Sequence, residues 1–219
     1  MHKYTPLTDA LHDYMAGQRS RADDPVMEAL RAETMTLGDA SQMAISEVQS
    51  SFLTFLVAAM RARQAVEVGT FTGSSSISIA RGLPADGRLV CFDSNEQWTA
   101  IARRYWKQAG VDEKIELRLG DAARLLREFK PEFPLDFVFI DANKDGYDDY
   151  FEALLPHVRA GGVLVFDNML RHGEVIWPPE KQTVETRTID RLNRKLAADP
   201  RVESVLVPLA DGLNLCRKL

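Results

Sequence analysis

The residue types with most chemical potential in this sequence sit at the ends of short apolar runs. Glu67 lies in Gln64–Val68 (QAVEV), followed at once by Gly69-Thr70-Phe71-Thr72-Gly73-Ser74-Ser75, and Asp93 ends Arg88–Phe92 (RLVCF). A strand that runs into a glycine-bearing turn and opens a helix lets the backbone come close to a bound ligand. Asp93, at the tip of the next strand, is placed to accept both hydroxyls of an adenosine ribose. The G-x-G-x-x-G pattern of dinucleotide sites is absent, because Phe71 stands at its second glycine position, where a pyrophosphate needs room. Glu67 would repel a phosphate as well. The turn therefore suits a ligand carrying an ammonium or sulfonium group. Glycine at such a junction can also serve packing alone; Glu67, Gly69 and Asp93 taken together favour a ligand.

A second constellation follows. Ile140-Asp141-Ala142-Asn143-Lys144 ends one nearly all-apolar run, and Phe166-Asp167-Asn168 ends the next. If the two runs are neighbouring strands, Asp141, Asp167 and Asn168 converge and offer three oxygen ligands to a hard cation such as Mg²⁺. Zinc would call for His or Cys, and His157 and His172 lack the spacing of a metal pair. Two carboxylates could also act as the acid and base of a glycosidase, but a cation at Lys144 would hold both ionised. Any one of these aspartates could simply cap a helix or turn; the set at adjacent tips points to a metal.

These residues need a scaffold that sets strand tips side by side. Periodicity predicts helices at 7–15, 25–37 and 46–60, the last with an apolar stripe at Val48, Phe52, Phe55, Leu56 and Ala59 that assigns Phe52 and Phe55 to the core. Strands at 64–68, 88–92, 114–119, 135–140 and 162–166 then alternate with helices ending near 81, 109, 129 and 155. That alternation specifies an α/β, doubly wound, mostly parallel sheet. Residues 171–183 read as a long loop and 186–198 as a helix. The closing runs 202–207 and 213–217 are separated by too few residues for a crossover, so one of them is antiparallel.

Composition limits the function. The chain has 219 residues, 27 Lys plus Arg against 32 Asp plus Glu, and a net charge of −5, which disfavours bulk contact with phosphate backbones. The basic clusters Arg61–Arg63, Arg103-Arg104 and Arg191–Lys195 keep a nucleic-acid partner open, although solvated helix faces read the same way. Two cysteines, Cys91 and Cys216, cannot build a disulfide framework, and no stretch is apolar enough for a signal core or a membrane span. The expected setting is the cytoplasm.

The motifs match those of a known family. The chain resembles the cation-dependent O-methyltransferases that use S-adenosylmethionine, the group containing catechol and caffeoyl-coenzyme A O-methyltransferases and bacterial relatives. The resemblance covers residues 30–219 and rests on Glu67–Ser75, Arg103–Trp106, Gly120–Ala122, Phe139–Tyr147, Gly161–Asn168 and Ala210–Leu213, in that order and spacing. It implies a Rossmann-like seven-stranded sheet with an antiparallel terminal strand and N-terminal helices, and residues 1–219 as one methyltransferase domain with 1–40 as lid or dimerisation segment. Ile45, Glu67, Gly69, Thr70, Ser75, Asp93, Ala122, Asp141 and Asn143 would line the S-adenosylmethionine site. Asp141, Asp167 and Asn168 would hold Mg²⁺, or another divalent ion such as Mn²⁺ or Ca²⁺, and Lys144 would be the general base. The implied substrate is a small hydroxylated aromatic with vicinal oxygens, the assembly a homodimer. Some relatives methylate hydroxylated tRNA uridine, which is the alternative activity; a cofactor-binding protein without catalysis is the other.

Three features depart from the family pattern. Asn143 stands where Asp is frequent, Gln49-Ser50-Ser51 replaces Glu-Gly-Gln, and neither residues 1–30 nor the loop 169–183 match a pattern, although those regions shape the acceptor pocket in the family. Trp177, Pro178 and Pro179 could give that pocket a flat apolar wall, or Trp177 could anchor the loop to the core.

Overall fold

The structure, a computed structural model, describes residues 5–219. Residues 1–4 of the expected N-terminal segment lie outside the described residues. The elements in chain order are α1 (Asp9–Gly17), α2 (Pro25–Met35), α3 (Glu47–Ala59), β1 (Gln64–Val68), α4 (Ser74–Gly82), β2 (Arg88–Asp93), α5 (Glu96–Gln108), β3 (Ile115–Leu119), α6 (Ala122–Glu128), β4 (Leu135–Ile140), α7 (Tyr147–Leu154), β5 (Val158–Phe166), α8 (Val184–Ala198), β6 (Val202–Val207) and β7 (Leu213–Lys218). Local chemistry sets the helix starts. Ser46 accepts from the Gln49 amide, Asn95 from Trp98, Asp121 from Arg124 and Thr183 from Thr186, each satisfying an otherwise orphaned N–H.

The seven strands form one sheet in the order β3-β2-β1-β4-β5-β7-β6. The first five are parallel, and β7 runs antiparallel to both β5 and β6, which identifies it as the reversed strand the short closing connection demanded. The order reverses direction between β1 and β4, so a crevice opens at their carboxyl ends.

Strand alternation sorts residues between two cores. Val66, Val68, Val138, Ile140, Leu164 and Phe166 face α6, α7 and α8. Ala65, Cys91, Phe137, Phe139 and Val165 face α2, α3, α4 and α5. Glu67 shares the parity of Ala65 and therefore projects into the second layer.

Two expectations are corrected. Phe55 is 73% exposed, because the buried stripe of α3 runs through Gln49, Leu53 and Val57, one residue out of phase with the predicted one; Phe52 does pack against the core. Strand β5 begins four residues early, at Val158, and the extra length is accommodated by an irregular register between Leu135 and Phe137 of β4.

Candidate active site

The tips of the parallel strands are laced together by backbone hydrogen bonds that continue the ladders past their ends. Gly120 donates to the Asp93 carbonyl (2.9 Å), Gly69 to Phe92 (2.9 Å), Asp141 to Val68 (2.8 Å) and Asp167 to Ile140 (3.0 Å). Every acid singled out from the sequence thus stands on one edge. Gly69 has φ +93°, and a Cβ there would lie 2.0 Å from the Asp141 carbonyl oxygen, so only glycine lets the turn after β1 lie against the tip of β4. Gly73 has φ +96°, and a Cβ would meet Ala102 at 2.8 Å, which fixes how closely α4 and α5 approach.

Glu67 is fully buried at the root of this turn, and neither carboxylate oxygen has a hydrogen-bond partner. The Ser75 and Thr70 hydroxyls and the Cys91 thiol stand around it, and burial pushes its pKa up to about 7. An orphaned buried carboxylate is costly unless a ligand answers it, and the Thr70 hydroxyl oxygen is also buried without a partner. Asp93 holds the turn itself: Oδ2 accepts from the Thr70 and Phe71 amides (2.8 Å each) and Oδ1 from Asn95 (2.8 Å). Its remaining lone pairs are what a ribose could use. Ser75 is buried on the first turn of α4, and Ala122 opens α6 next to the tip of β3. Ile45, just before α3, packs against the second core. Asn143 accepts from the Tyr150 hydroxyl (2.5 Å), so its amide oxygen is fixed in place of the carboxylate the pattern leads one to expect.

At the tips of β4 and β5, Asp141 and Asp167 come together with Lys144. Lys144 Nζ lies 3.0 Å from Asp141 Oδ1 and donates to the Tyr147 hydroxyl at 2.8 Å. Tyr147 in turn donates to the Asp167 carbonyl (3.2 Å). Burial and the charges of Asp141 and Asp167 hold the Tyr147 hydroxyl well above the usual tyrosine range, so it keeps its proton. Asp167 accepts from the Asn168 amide (2.6 Å) and from Gln49 Nε2 (2.5 Å), and burial followed by the Asp141 charge pushes its pKa up to about 7. Asn168 adopts φ +58°, a left-handed turn asparagine tolerates.

Two carboxylates that repel each other at adjacent strand tips are hard oxygen donors of the kind a divalent oxygen-preferring cation takes, and Asn168 follows the second of them directly. Among the described residues no cluster of three or more His, Cys, Asp or Glu gathers. Tyr147 and Gln49 were not anticipated. The signal for Gln49 was present, since it falls on the helical spacing of Leu53 and Val57, where a lone amide is too costly without a partner.

The loop after Asn168 is ordered by polar clamps. Gln182 Nε2 reaches the carbonyls of Glu174 (3.4 Å), Val175 (3.2 Å) and Trp177 (3.0 Å), and Thr186 donates to the Glu174 carboxylate (2.6 Å). Trp177 remains 47% exposed and Ile176 86% exposed, so the indole is not what anchors this loop. From the other side, Thr34 of α2 bonds to Thr72 of the glycine turn (2.9 Å). The basic clusters are largely answered by acids: Arg63 pairs with Asp86, Arg104 with Glu33, Arg194 with Asp190, and Lys195 with Asp148 and Glu152.

Comparison with known proteins agrees with this geometry. A family model described as O-methyltransferase matches residues 17–219. A probable caffeoyl-CoA O-methyltransferase of Dictyostelium discoideum is 40% identical over 174 residues, 78% of this chain and 75% of that protein. Caffeoyl-CoA O-methyltransferase 2 of Petunia hybrida is 33% identical over 228 residues, covering 100% and 94%. The solved structure of the O-methyltransferase TomG of Streptomyces achromogenes in complex with SAM superposes with a TM-score of 0.83 at 29% identity, over 95% of this chain and 96% of that one. With the family model matched over residues 17–219 and these relatives more than 30% identical over most of their length, the chain belongs to the O-methyltransferase family.

Proposed function

We propose that this protein transfers the methyl group of S-adenosylmethionine to a hydroxyl of a small aromatic acceptor with vicinal oxygens, of catechol or caffeoyl type, with a divalent cation such as Mg²⁺. The observation that carries the reading is the single strand edge on which the orphaned Glu67 carboxylate and the Asp141–Asp167–Asn168 donor set stand together. Glu67, Gly69, Thr70, Ser75, Asp93, Ala122, Asn143 and Ile45 would hold the sulfonium cofactor, and Asp141, Asp167 and Asn168 the metal. A bound divalent cation supplies Lewis-acid stabilisation of a phenolate and a template for two adjacent oxygens.

The chain's own residues do the rest. Lys144 Nζ is held between Asp141 and the Tyr147 hydroxyl, within the acidic edge, and as the neutral amine it would receive the acceptor's proton as general base. Tyr147, itself tethered to the Asp167 carbonyl, positions that amine. Gln49 keeps Asp167 turned toward the edge. Trp177 and the prolines beside it give the acceptor ring an apolar wall. Residues 1–219 act as one catalytic domain; segment 1–40, whose α2 reaches the glycine turn through Thr34, serves as lid or homodimer surface. No helix among the described residues is long and apolar enough to cross a membrane.

The test is an acceptor screen with methyl-labelled S-adenosylmethionine, using catechol, a caffeoyl thioester and tRNA carrying 5-hydroxyuridine, each with and without EDTA. Methylation of the catechol or caffeoyl compound that EDTA abolishes is the expected result. Label in tRNA alone, or turnover indifferent to EDTA, would overturn the acceptor or the metal assignment respectively.

A further inference from the structure

Away from the strand edge, the segment joining α1 to α2 stands off α3 and α4 and encloses a cavity of about 570 Å³. The α3 residues lining it, among them Ser51, Thr54, Phe55 and Ala58, are those turned away from the buried stripe Gln49-Leu53-Val57. The cavity is therefore on the opposite side of α3 from the contact with Asp167, and it contains none of the residues assigned above to cofactor or metal.

Its lining is amphipathic. Met27, Phe55 and Ala58 form apolar wall, and Phe55 stays 73% exposed although it is a large aromatic. Four guanidinium groups and three carboxylates also face it. Arg81 is paired with Asp24 and Arg31 with Glu47. Glu28 is exposed and forms no ion pair, and Arg19 and Arg21 have no carboxylate partner among the described residues. Arg19 is nevertheless fixed by neutral groups: Nε donates to the Ala16 carbonyl (2.7 Å) and Nη1 reaches Ser51 Oγ (3.4 Å). That leaves the rest of its N–H fork to a ligand. Burial, together with the charge of Arg19, holds the Arg31 guanidinium below the usual arginine range, as expected where positive charge is in excess.

We propose that this cavity is a second binding site, for an amphipathic organic anion whose apolar body lies against Met27, Phe55 and Ala58 and whose acidic head is held by Arg19 and Arg21. A preorganised guanidinium fork beside apolar wall is the chemistry that recognises an aryl or acyl carboxylate, sulfonate or phosphate. The site is independent of the methyl-transfer reading, and either can fail without the other.

The experiment is a fluorescence titration of the full chain with 8-anilinonaphthalene-1-sulfonate, repeated with saturating S-adenosylhomocysteine. The neutral N-phenyl-1-naphthylamine is titrated in parallel. One saturable sulfonate site that survives S-adenosylhomocysteine is expected. Arg19→Gln with Arg21→Gln should weaken the sulfonate dye about tenfold or more while leaving the neutral dye unchanged. Phe55→Ser should weaken both. Arg21→Gln alone lies on an exposed turn and tests the same charge without touching the Arg19 hydrogen bonds. Absence of saturable binding, indifference to the arginine changes, or displacement by S-adenosylhomocysteine would overturn the site. So would light scattering in which Phe55→Ser splits a dimer, since the face would then be an interface between copies.

Discussion

One buried carboxyl, Glu67, and one half-buried amine, Lys144, decide the chemistry at the scale of single residues. Glu67 ionises near 4.5 in an unfolded chain and near 7 in its dry pocket. Between those values the folded protein holds a proton that the unfolded chain has lost, so stability falls as pH rises through this window, by about 3 kcal/mol in all. The stability of the ligand-free protein minus that of Glu67→Gln should therefore decrease by roughly that amount between pH 4.5 and 7.5. Denaturant melts at several pH values measure it; a flat difference contradicts the buried, unpartnered carboxylate. The same group predicts a proton released on cofactor binding, because an ammonium or sulfonium beside Glu67 favours its charged form. Calorimetry with S-adenosylhomocysteine at pH 6.5, in buffers of different ionisation enthalpy, should show release in the native protein and none in Glu67→Gln. Lys144 is the second group. Lys144→Met should lower kcat by about 10²–10⁴-fold and change the pH profile, whereas Tyr147→Phe, which removes one of the two groups holding Nζ, should cost less and leave the profile's shape intact. An unchanged rate in Lys144→Met removes it from the mechanism.

At the scale of elements, the strands and their order of appearance were readable because buried parallel strands are short apolar runs bounded by helix signals, with Asp93, Asp141 and Asp167 at their ends and Glu67 one residue inside the first. The clamps were not readable, since their partners are remote or are backbone atoms. Gln49 meets Asp167 across 118 positions, and Gln182 binds three carbonyls that carry no side-chain signature. Phe55 misled for a different reason: α3 is apolar around most of its circumference, so its inward face cannot be phased from spacing alone. The two clamps give separable predictions. Gln49→Ala takes a donor from Asp167 and should weaken Mn²⁺ binding, followed by calorimetry, by about 10–100-fold, the usual penalty for losing a residue that orients a metal ligand. Gln182→Ala should leave metal binding alone but raise amide hydrogen exchange across 171–183 and raise KM for the acceptor. If exchange in that segment does not change, the loop is held by something other than its carbonyl clamp.

At the scale of the whole molecule, the sheet separates two tasks across its thickness. The layer of α2 to α5 encloses Glu67 and the glycine turn, the layer of α6 to α8 supplies Lys144 and Tyr147 through the start of α7, and the acid pair stands on the edge between the layers. Putting two carboxylates on adjacent tips costs stability in the metal-free protein, because Asp167 is nearly dry and lies in the field of Asp141. A cation that binds only the folded state returns that cost: at 100 times its Kd it adds about 2.7 kcal/mol, and for a chain of this size each kcal/mol moves Tm by about 2–4 °C. Mg²⁺ should therefore raise Tm by about 5–10 °C at that excess, and EDTA should reverse it. Asp167→Asn separates the two effects, since an amide oxygen can still accept from Gln49 while the like-charge repulsion disappears. Without metal the variant should melt no lower than the native protein, and its advantage should grow as pH rises from about 4 to about 7, where the folded native protein holds a proton on Asp167 that the unfolded chain has lost, and stay constant above that. With Mg²⁺ it should show little further rise and little methyl transfer. A variant that still gained the full Mg²⁺ increment would place the cation elsewhere, and one that melted far below the native protein would mean that Asp167 is part of the scaffold rather than a carboxylate held in readiness for a metal.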